Sequence, residues 1–296
     1  MKKIVKNKQI KNYLNPNWDL VITPNRGWFD LDLKDILRYR DLLWIFVKRD
    51  FSTFYKQTIL GPLWFFIQPF LSTFVFFIIF NKVAGISTDT VPPLLFYMSG
   101  IITWNYFSSC FNSTSNTFTA NAGLFSKVYF PRIIVPISII ISGLSRFFVQ
   151  LLLFLIFYLF YFFTDNGNIN PSFISIFFLF PVLIIQMAML GQGMGMIISS
   201  LTTKYRDLSY LVSFGTQLMM YATTVIYPLS SVPDKYKLFI ILNPMTSVIE
   251  GFRYTFIGNS KFDYNILFYS MSLTLIVFFL GLIIFNKVEK TFIDTV

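Results

Sequence analysis

The chain has 296 residues, of which 55% are hydrophobic, 20% aromatic and only 13% charged, with a mean hydropathy of +0.62 and a net charge of +10. An ordinary soluble domain is about a quarter charged, so this composition excludes a soluble globular protein and indicates an integral membrane protein. The chain contains no His, which removes Ser-His-Asp and Cys-His catalysis and the usual zinc sites together, and its single Cys110 cannot form an internal disulfide.

Half of the cations lie before residue 60, a distribution that suits an anionic membrane face better than nucleic acid. Residues 1–33 are polar, are broken by Pro16 and Pro24, and read as a cytoplasmic arm. The basic start is followed by Asn, Asp and Pro instead of an apolar run, so no cleaved signal peptide is expected. Over 34–58, Ile36, Leu43, Phe46, Val47, Phe51 and Phe54 fall near helical spacing, with Lys34, Arg38, Asp41 and Lys48 on another face. This predicts an amphipathic helix at the membrane interface. An ordinary helix packed on neighbouring loops fits the same spacing, because Trp44 and Ile45 widen the stripe.

Apolar runs of spanning length then predict crossings over about 62–80, 92–111, 133–163, 172–201, 208–229 and 266–285. Pro69 predicts a kink in the first, and a turn at Asn81–Val91 separates it from the second. The third run is overlong, so it must tilt or begin outside the hydrocarbon, and it carries one charge, Arg146. In the fourth, Gly191 and Gly195 are spaced for close helix contact, although simple flexibility accounts for them equally. Between the last two crossings, 236–258 holds two apolar pieces too short to span, split by Asn243-Pro244. A re-entrant hairpin is expected there, and such a backbone survives in lipid only where protein or water covers it.

The expected fold class is therefore all-α integral membrane. It comprises six transmembrane helices within 59–290, an amino-terminal amphipathic interface helix, a re-entrant hairpin between spans five and six, and a cytoplasmic tail at 286–296. Under that topology 18 of the 24 cations fall on the side of the amino-terminal arm, which places both termini in the cytoplasm.

Little in the chain could carry chemistry. No phosphate-loop string occurs, so any ATP and magnesium belong to another subunit. Gly191-Gln192-Gly193-Met194-Gly195 lies inside an apolar helix without a preceding strand, which argues against a dinucleotide site. The predicted spans contain no Asp or Glu, leaving general acid-base catalysis and proton coupling without residues. No cofactor or metal is expected on this chain, and no chemistry of its own.

Arg146 could line a polar path or pair with another helix, or it could snorkel. Glu250 and Arg253 lie three apart and could pair locally on one helical face. Tyr97, Trp104, Tyr106, Phe107, Tyr221 and Tyr227 could line a sugar path, apolar on the ring face and hydrogen-bonding at the edge, or could form an interfacial belt. Lys48, Arg49 and Lys56 stand just ahead of the first span, where cations suit a pyrophosphate head group or serve as plain positive-inside anchors.

Several strings, taken in order, resemble type-2 ABC exporter permeases for polysaccharides. They are Tyr39-Arg40-Asp41-Leu42-Leu43-Trp44, Lys48-Arg49-Asp50, Tyr55-Lys56-Gln57-Thr58-Ile59-Leu60-Gly61-Pro62-Leu63-Trp64 and Gln68-Pro69 near the start. Lys127-Val128-Tyr129-Phe130-Pro131-Arg132 and Ile134-Val135-Pro136 follow, then Tyr205-Arg206-Asp207, Ile226-Tyr227-Pro228-Leu229, Asn243-Pro244-Met245 and Ile249-Glu250-Gly251-Phe252-Arg253. The resemblance covers about residues 20–290. It implies a homodimer joined to two copies of a cytoplasmic ABC ATPase that binds ATP and magnesium. The implied substrate is an undecaprenyl-pyrophosphate-linked glycan of the O-antigen, capsule or teichoic acid type, exported across the bacterial inner membrane, with no nucleic-acid partner. It also implies a gating role for the amphipathic helix with Lys48, Arg49 and Lys56, and ATPase docking by Lys127, Val128, Tyr129, Phe130, Pro131 and Arg132. The segment around Asn243, Pro244, Glu250 and Arg253 becomes an outer gate. Drug or small-lipid efflux by the same architecture is the alternative. A membrane-embedded polymerase or acyltransferase is opposed by the missing His and intramembrane carboxylates.

Overall fold

A computed structural model describes residues 37–56, 58–164, 169–205, 207–258 and 262–291. The arm expected over 1–33, Arg206, Lys261 and the end of the tail lie outside the described residues. Among the described residues the secondary structure is entirely helical. α1 is Arg40–Tyr55 and α2 is Trp64–Phe76, which is preceded by a 3₁₀ turn at Gly61–Leu63 and continued as a π-helix over Phe77–Val83. α3 is Pro93–Ser115, and two single-turn helices follow, α4 Thr117–Ala120 and α5 Ala122–Phe125. α6 is Ile134–Thr164, α7 Phe173–Thr202, α8 Leu208–Tyr221, α9 Asp234–Leu242, α10 Pro244–Ile257 and α11 Tyr264–Thr291.

Among the described residues four helical segments are long and apolar enough to cross a membrane: Gly61–Val83, Ile134–Thr164, Phe173–Thr202 and Tyr264–Glu289. Two of the expected crossings differ from these. α3 has the length, with 23 residues, but it carries Asn105, Ser108, Ser109 and Asn112 among its apolar residues. It can hold them because most of its residues are buried against other helices and not lipid. α8 stops at Tyr221, short of the Leu229 end that hydropathy suggests. The chain beyond it turns inward, and Thr223, Thr224, Val225 and Ile226 are buried. The apolar character of Val225 and Ile226 thus reflects burial in protein rather than continuation of a helix.

α7 is the central helix and packs most extensively on α3 and α11. A Cβ on Gly193 would stand 2.7 Å from the Phe278 Cα of α11, and one on Gly191 would stand 2.9 Å from the Phe107 carbonyl of α3. Small residues let these backbones approach, and in lipid such close packing replaces the hydrophobic effect as the source of helix association. α10 is buried along most of its length and lies against α7, α11 and α3, whereas no described residue of α9 is buried. An aromatic cluster joins α10 to α6 and α7, with ring centroids 5.3 Å apart for Phe154 and Phe252 and 5.3 Å for Phe180 and Phe256. Edge-to-face pairs of this kind contribute about 0.5–1.5 kcal/mol each beyond their burial.

The surface of α2, α6, α7 and α11 has the opposite character. Exposed Leu71, Phe74, Phe148, Leu152, Phe177, Phe178, Phe268 and Phe279 form an apolar exterior suited to acyl chains.

Candidate functional site

A cavity of about 280 Å³ lies between α2, α3 and α6. Phe65 and Gln68 of α2, Asn105, Tyr106, Ser108, Ser109 and Asn112 of α3, and Gly143, Arg146, Phe147 and Gln150 of α6 line it. The polar positions on α3 recur at helical spacing, which puts them on one face. The Asn105 amide donates to Gln150 Oε1 at 3.5 Å, and Asn112 accepts from Thr216 Oγ of α8 at 3.3 Å. Gly143 keeps the wall thin beside Tyr106. Arg146 is thus placed among neutral amides and hydroxyls, while Trp64 of α2 and Phe148 of α6 are exposed on the outside of the same helices.

Arg253 is at the centre of a second arrangement. It is almost fully buried, donates to Glu250 at 3.1 Å, to Ser99 Oγ at 3.3 Å and to the carbonyls of Phe96 and Val225 at 3.3 Å each, and lies over the Phe96 ring. It therefore joins α10 to the start of α3 and to the turn after α8. Asn243 caps α10 through Met245 N–H at 3.1 Å, with Pro244 at the first helical position, where its missing N–H costs nothing. Ser270 of α11 donates to the Pro244 carbonyl at 2.9 Å and accepts from Gln186 of α7. On the same flank, Ser230 donates to Asp89 at 2.8 Å, linking two loops.

At the opposite end of α3 and α6, Lys127, Val128 and Tyr129 are exposed at the tip of a loop whose base is anchored. Phe130 is buried 5.6 Å from both Phe46 of α1 and Phe125 of α5. Pro131 is half-buried, and Arg132 is buried with its backbone N–H on Glu289 Oε1 at 3.1 Å and its guanidinium donating to the Glu289 carbonyl. Burial pushes the Arg132 guanidinium below its usual value, and the Glu289 carboxylate opposes that shift. α1 buries Phe46 and Val47 and lies along α6, while Trp44 and Ile45 stay exposed, so it is both packed and apolar outward. Lys48 and Arg49 are exposed on α1, Arg49 pairs with Asp50 at 2.7 Å, and Lys56 follows the helix end.

The aromatic residues divide. Tyr97, Trp104 and Phe107 are buried in the core, Tyr106 lines the Arg146 cavity, and Tyr221 is exposed. Tyr227 is half-buried and donates to the Tyr221 carbonyl at 3.1 Å. Phe107 also borders an apolar cavity of about 360 Å³ with Met194, Met219 and Pro244. Sequence reasoning singled out Arg146 but missed Gln68, Asn105, Asn112 and Gln150. Their signal was polar side chains inside apolar helices, and only the register of three helices brings them together.

A family profile described as ABC-2 type transporter matches residues 41–257, from the start of α1 to the end of α10. The chain belongs to the ABC-2 type transporter family. The permease is 30% identical to the O-antigen export system permease protein RfbA of Klebsiella pneumoniae over 256 residues, 86% of this chain and 94% of that one. It is 25% identical to RfbA of Myxococcus xanthus over 266 residues, 89% and 98% of the two chains. The polysialic acid transport protein KpsM of Escherichia coli is 22% identical over 248 residues, 83% and 93%. The profile match takes in the Arg146 cavity, the Lys127–Arg132 loop and the Arg253 cluster of this ABC-2 permease, while α11 lies beyond it.

Proposed function

We propose that this ABC-2 permease is the membrane-spanning subunit of an exporter that moves lipid-linked polysaccharide, of the O-antigen or capsule type, across the inner membrane. The observation that carries this reading is its alignment with O-antigen export permeases over 86% of its own length and 94% of theirs. A polar cavity beside lipid-facing helices supports it, because a glycan on a lipid anchor needs both environments at once. A separate ATPase, two copies per permease dimer and holding ATP and magnesium, supplies the energy.

In this scheme α3, and α8 together with the inward turn after it, supply the two crossings beyond the four apolar segments, giving six, with both termini cytoplasmic. α9 and α10 form a re-entrant hairpin that serves as the outer gate, with Asn243, Pro244, Glu250 and Arg253 fixing its inner limb. The exposed tip Lys127, Val128 and Tyr129 docks the ATPase, and Phe130, Pro131 and Arg132 hold that tip against α1 and α11. Lys48, Arg49 and Lys56 on α1 meet the pyrophosphate of the lipid carrier at the cytoplasmic interface. In this scheme Tyr106, which lines the cavity with Phe65 and Phe147, meets sugar beside Arg146.

Deleting the gene in its native cell and staining the surface glycan tests the reading. Loss of surface polysaccharide, with lipid-linked glycan trapped inside and recovery on re-expression, is expected. Unchanged surface glycan with nothing trapped would overturn it.

A further inference from the structure

The chain break at Asn243-Pro244 is held at its inner end by neutral side chains of two neighbouring helices. Gln186 of α7 donates through Nε2 to Ser270 Oγ of α11, and Ser270 donates to the Pro244 carbonyl at 2.9 Å. Both side chains are fully buried. This relay has a fixed direction. A hydroxyl has one proton, and that of Ser270 is on the Pro244 carbonyl, so Ser270 can only accept from Gln186. The amide nitrogen of Gln186 therefore faces Ser270, and Oε1 is left on the other branch of the amide.

That oxygen has a counterpart on α10. Gln186 and Ser247 are 0% and 2% exposed, and neither Gln186 Oε1 nor Ser247 Oγ has a hydrogen-bond partner among the described residues. Thr103, Ser138, Ser200 and Thr255 each return their hydroxyl to a carbonyl three or four residues back. Ser247 makes no such bond, which keeps its hydroxyl available across the contact with α7. The register brings the two groups to the same contact. Pro244 is reached from Gln186 through Ser270, while a Cβ on Gly251 would stand 3.1 Å from Leu183 Cδ1, so α10 runs antiparallel to α7. Ser247 lies one turn before Gly251, and Gln186 nearly one turn after Leu183, on the facing surfaces of the two helices. One group is a free acceptor and the other a free donor. Leaving both bare inside a membrane is costly, because lipid supplies no partner.

We infer that one water bridges Gln186 Oε1 and Ser247 Oγ, accepting from the hydroxyl and donating to the amide oxygen. Uncharged partners suit a water, which typically makes about two to four hydrogen bonds when buried, better than an ion. The bridge closes a clasp in which Gln186 grips the first turn of α10 at two points, Pro244 through Ser270 and Ser247 through the water. Gln186 is thereby a positioning residue for α10. That α10 belongs to an outer gate rests on the export reading above, whereas the clasp requires only the packing of α7, α10 and α11.

Hydrogen exchange followed by mass spectrometry, on the full-length permease with its ATPase in lipid nanodiscs, tests the clasp. Gln186→Leu and Ser270→Ala are each expected to speed amide exchange within Pro244–Ile257 about three- to tenfold, with exchange in α6 unchanged. Ser272→Ala, whose hydroxyl only returns to the Phe268 carbonyl of its own helix, matches wild type. Ser247→Ala is expected to speed exchange of α10 about threefold when Gln186 is present and not at all beside Gln186→Leu, because the bridge is then already gone. If Gln186→Leu does not fold, Gln186→Met takes its place in the same comparison. Equal effects of Ser247→Ala in both backgrounds, or exchange that rises alike in α6 and α10, overturns the clasp. A cryo-EM map of the complex that resolves ordered water is expected to show one within hydrogen-bonding distance of both oxygens. Direct contact between the two side chains, or no density between them, overturns the bridge. Export lost on gene deletion together with either overturning result would remove this inference and leave the export reading standing.

Discussion

The guanidinium of Arg253 lies 3.5 Å over the ring of Phe96 and donates to the carbonyl of the same residue at 3.3 Å. One side chain thereby joins three segments that are far apart in sequence, because it also reaches Ser99, Val225 and Glu250. A buried charge held by this many partners is destabilising to remove, since each partner is then left without its donor.

Arg253→Ala is expected to lower stability by about 3 kcal/mol, read as an earlier thermal inactivation midpoint of the purified permease. Arg253→Lys should recover little, because a single ammonium cannot serve carbonyls and a carboxylate in several directions. Wild-type midpoints for both variants would show that the cluster does not hold α10 against α3.

Glu289 accepts from the Arg132 backbone and side chain, so the loop tip depends on the end of α11 for its position. Glu289→Ala is expected to reduce stimulation of the partner ATPase by about tenfold while the permease still inserts and pairs. Glu289→Gln keeps an acceptor oxygen and should fall between. ATPase turnover of the purified complex checks both, and full stimulation with Glu289→Ala would contradict the anchoring.

The glycines of α7 and α8 make a matched test. A Cβ on Gly193 meets backbone of α11, whereas one on Gly215 meets nothing within 4 Å. Gly193→Ala should destabilise by about 1–3 kcal/mol through forced separation of two helices, while Gly215→Ala should stabilise by roughly 0.5–1 kcal/mol through helix propensity. Thermal midpoints in the same detergent compare them, and equal behaviour would remove the close-packing account.

On α1, Arg49→Ala combined with Lys56→Ala is expected to cut surface glycan several-fold without changing the amount of permease in the membrane. Quantitative glycan staining against an immunoblot checks this. Normal glycan in the double variant would leave these cations as anchors only.

The long apolar helices were legible because lipid demands continuous runs, and α2, α6, α7 and α11 follow the hydropathy to within a few residues. The end of α8 was not. Val225 and Ile226 are apolar because protein covers them, and composition does not distinguish a protein interior from lipid. Asn243-Pro244 announced the break between α9 and α10 through its cap and its missing N–H. The Glu250–Arg253 pair was readable from helical spacing, but its hold on Phe96, Ser99 and Val225 was not, since those contacts span up to 157 positions. Arg146 was conspicuous as the charge within an apolar run. Its cavity depends on the relative rotation of three helices, which local sequence does not encode.

Transport in a defined system tests the central claim most directly. Permease and ATPase are co-reconstituted into liposomes whose outer leaflet carries lipid-linked glycan, and lectin-accessible glycan is followed after ATP addition. The expected result is an ATP-dependent loss of accessible glycan that reappears when the vesicles are opened, and that is absent without ATP. Glycan that stays accessible while the active ATPase turns over would contradict polysaccharide export by this chain.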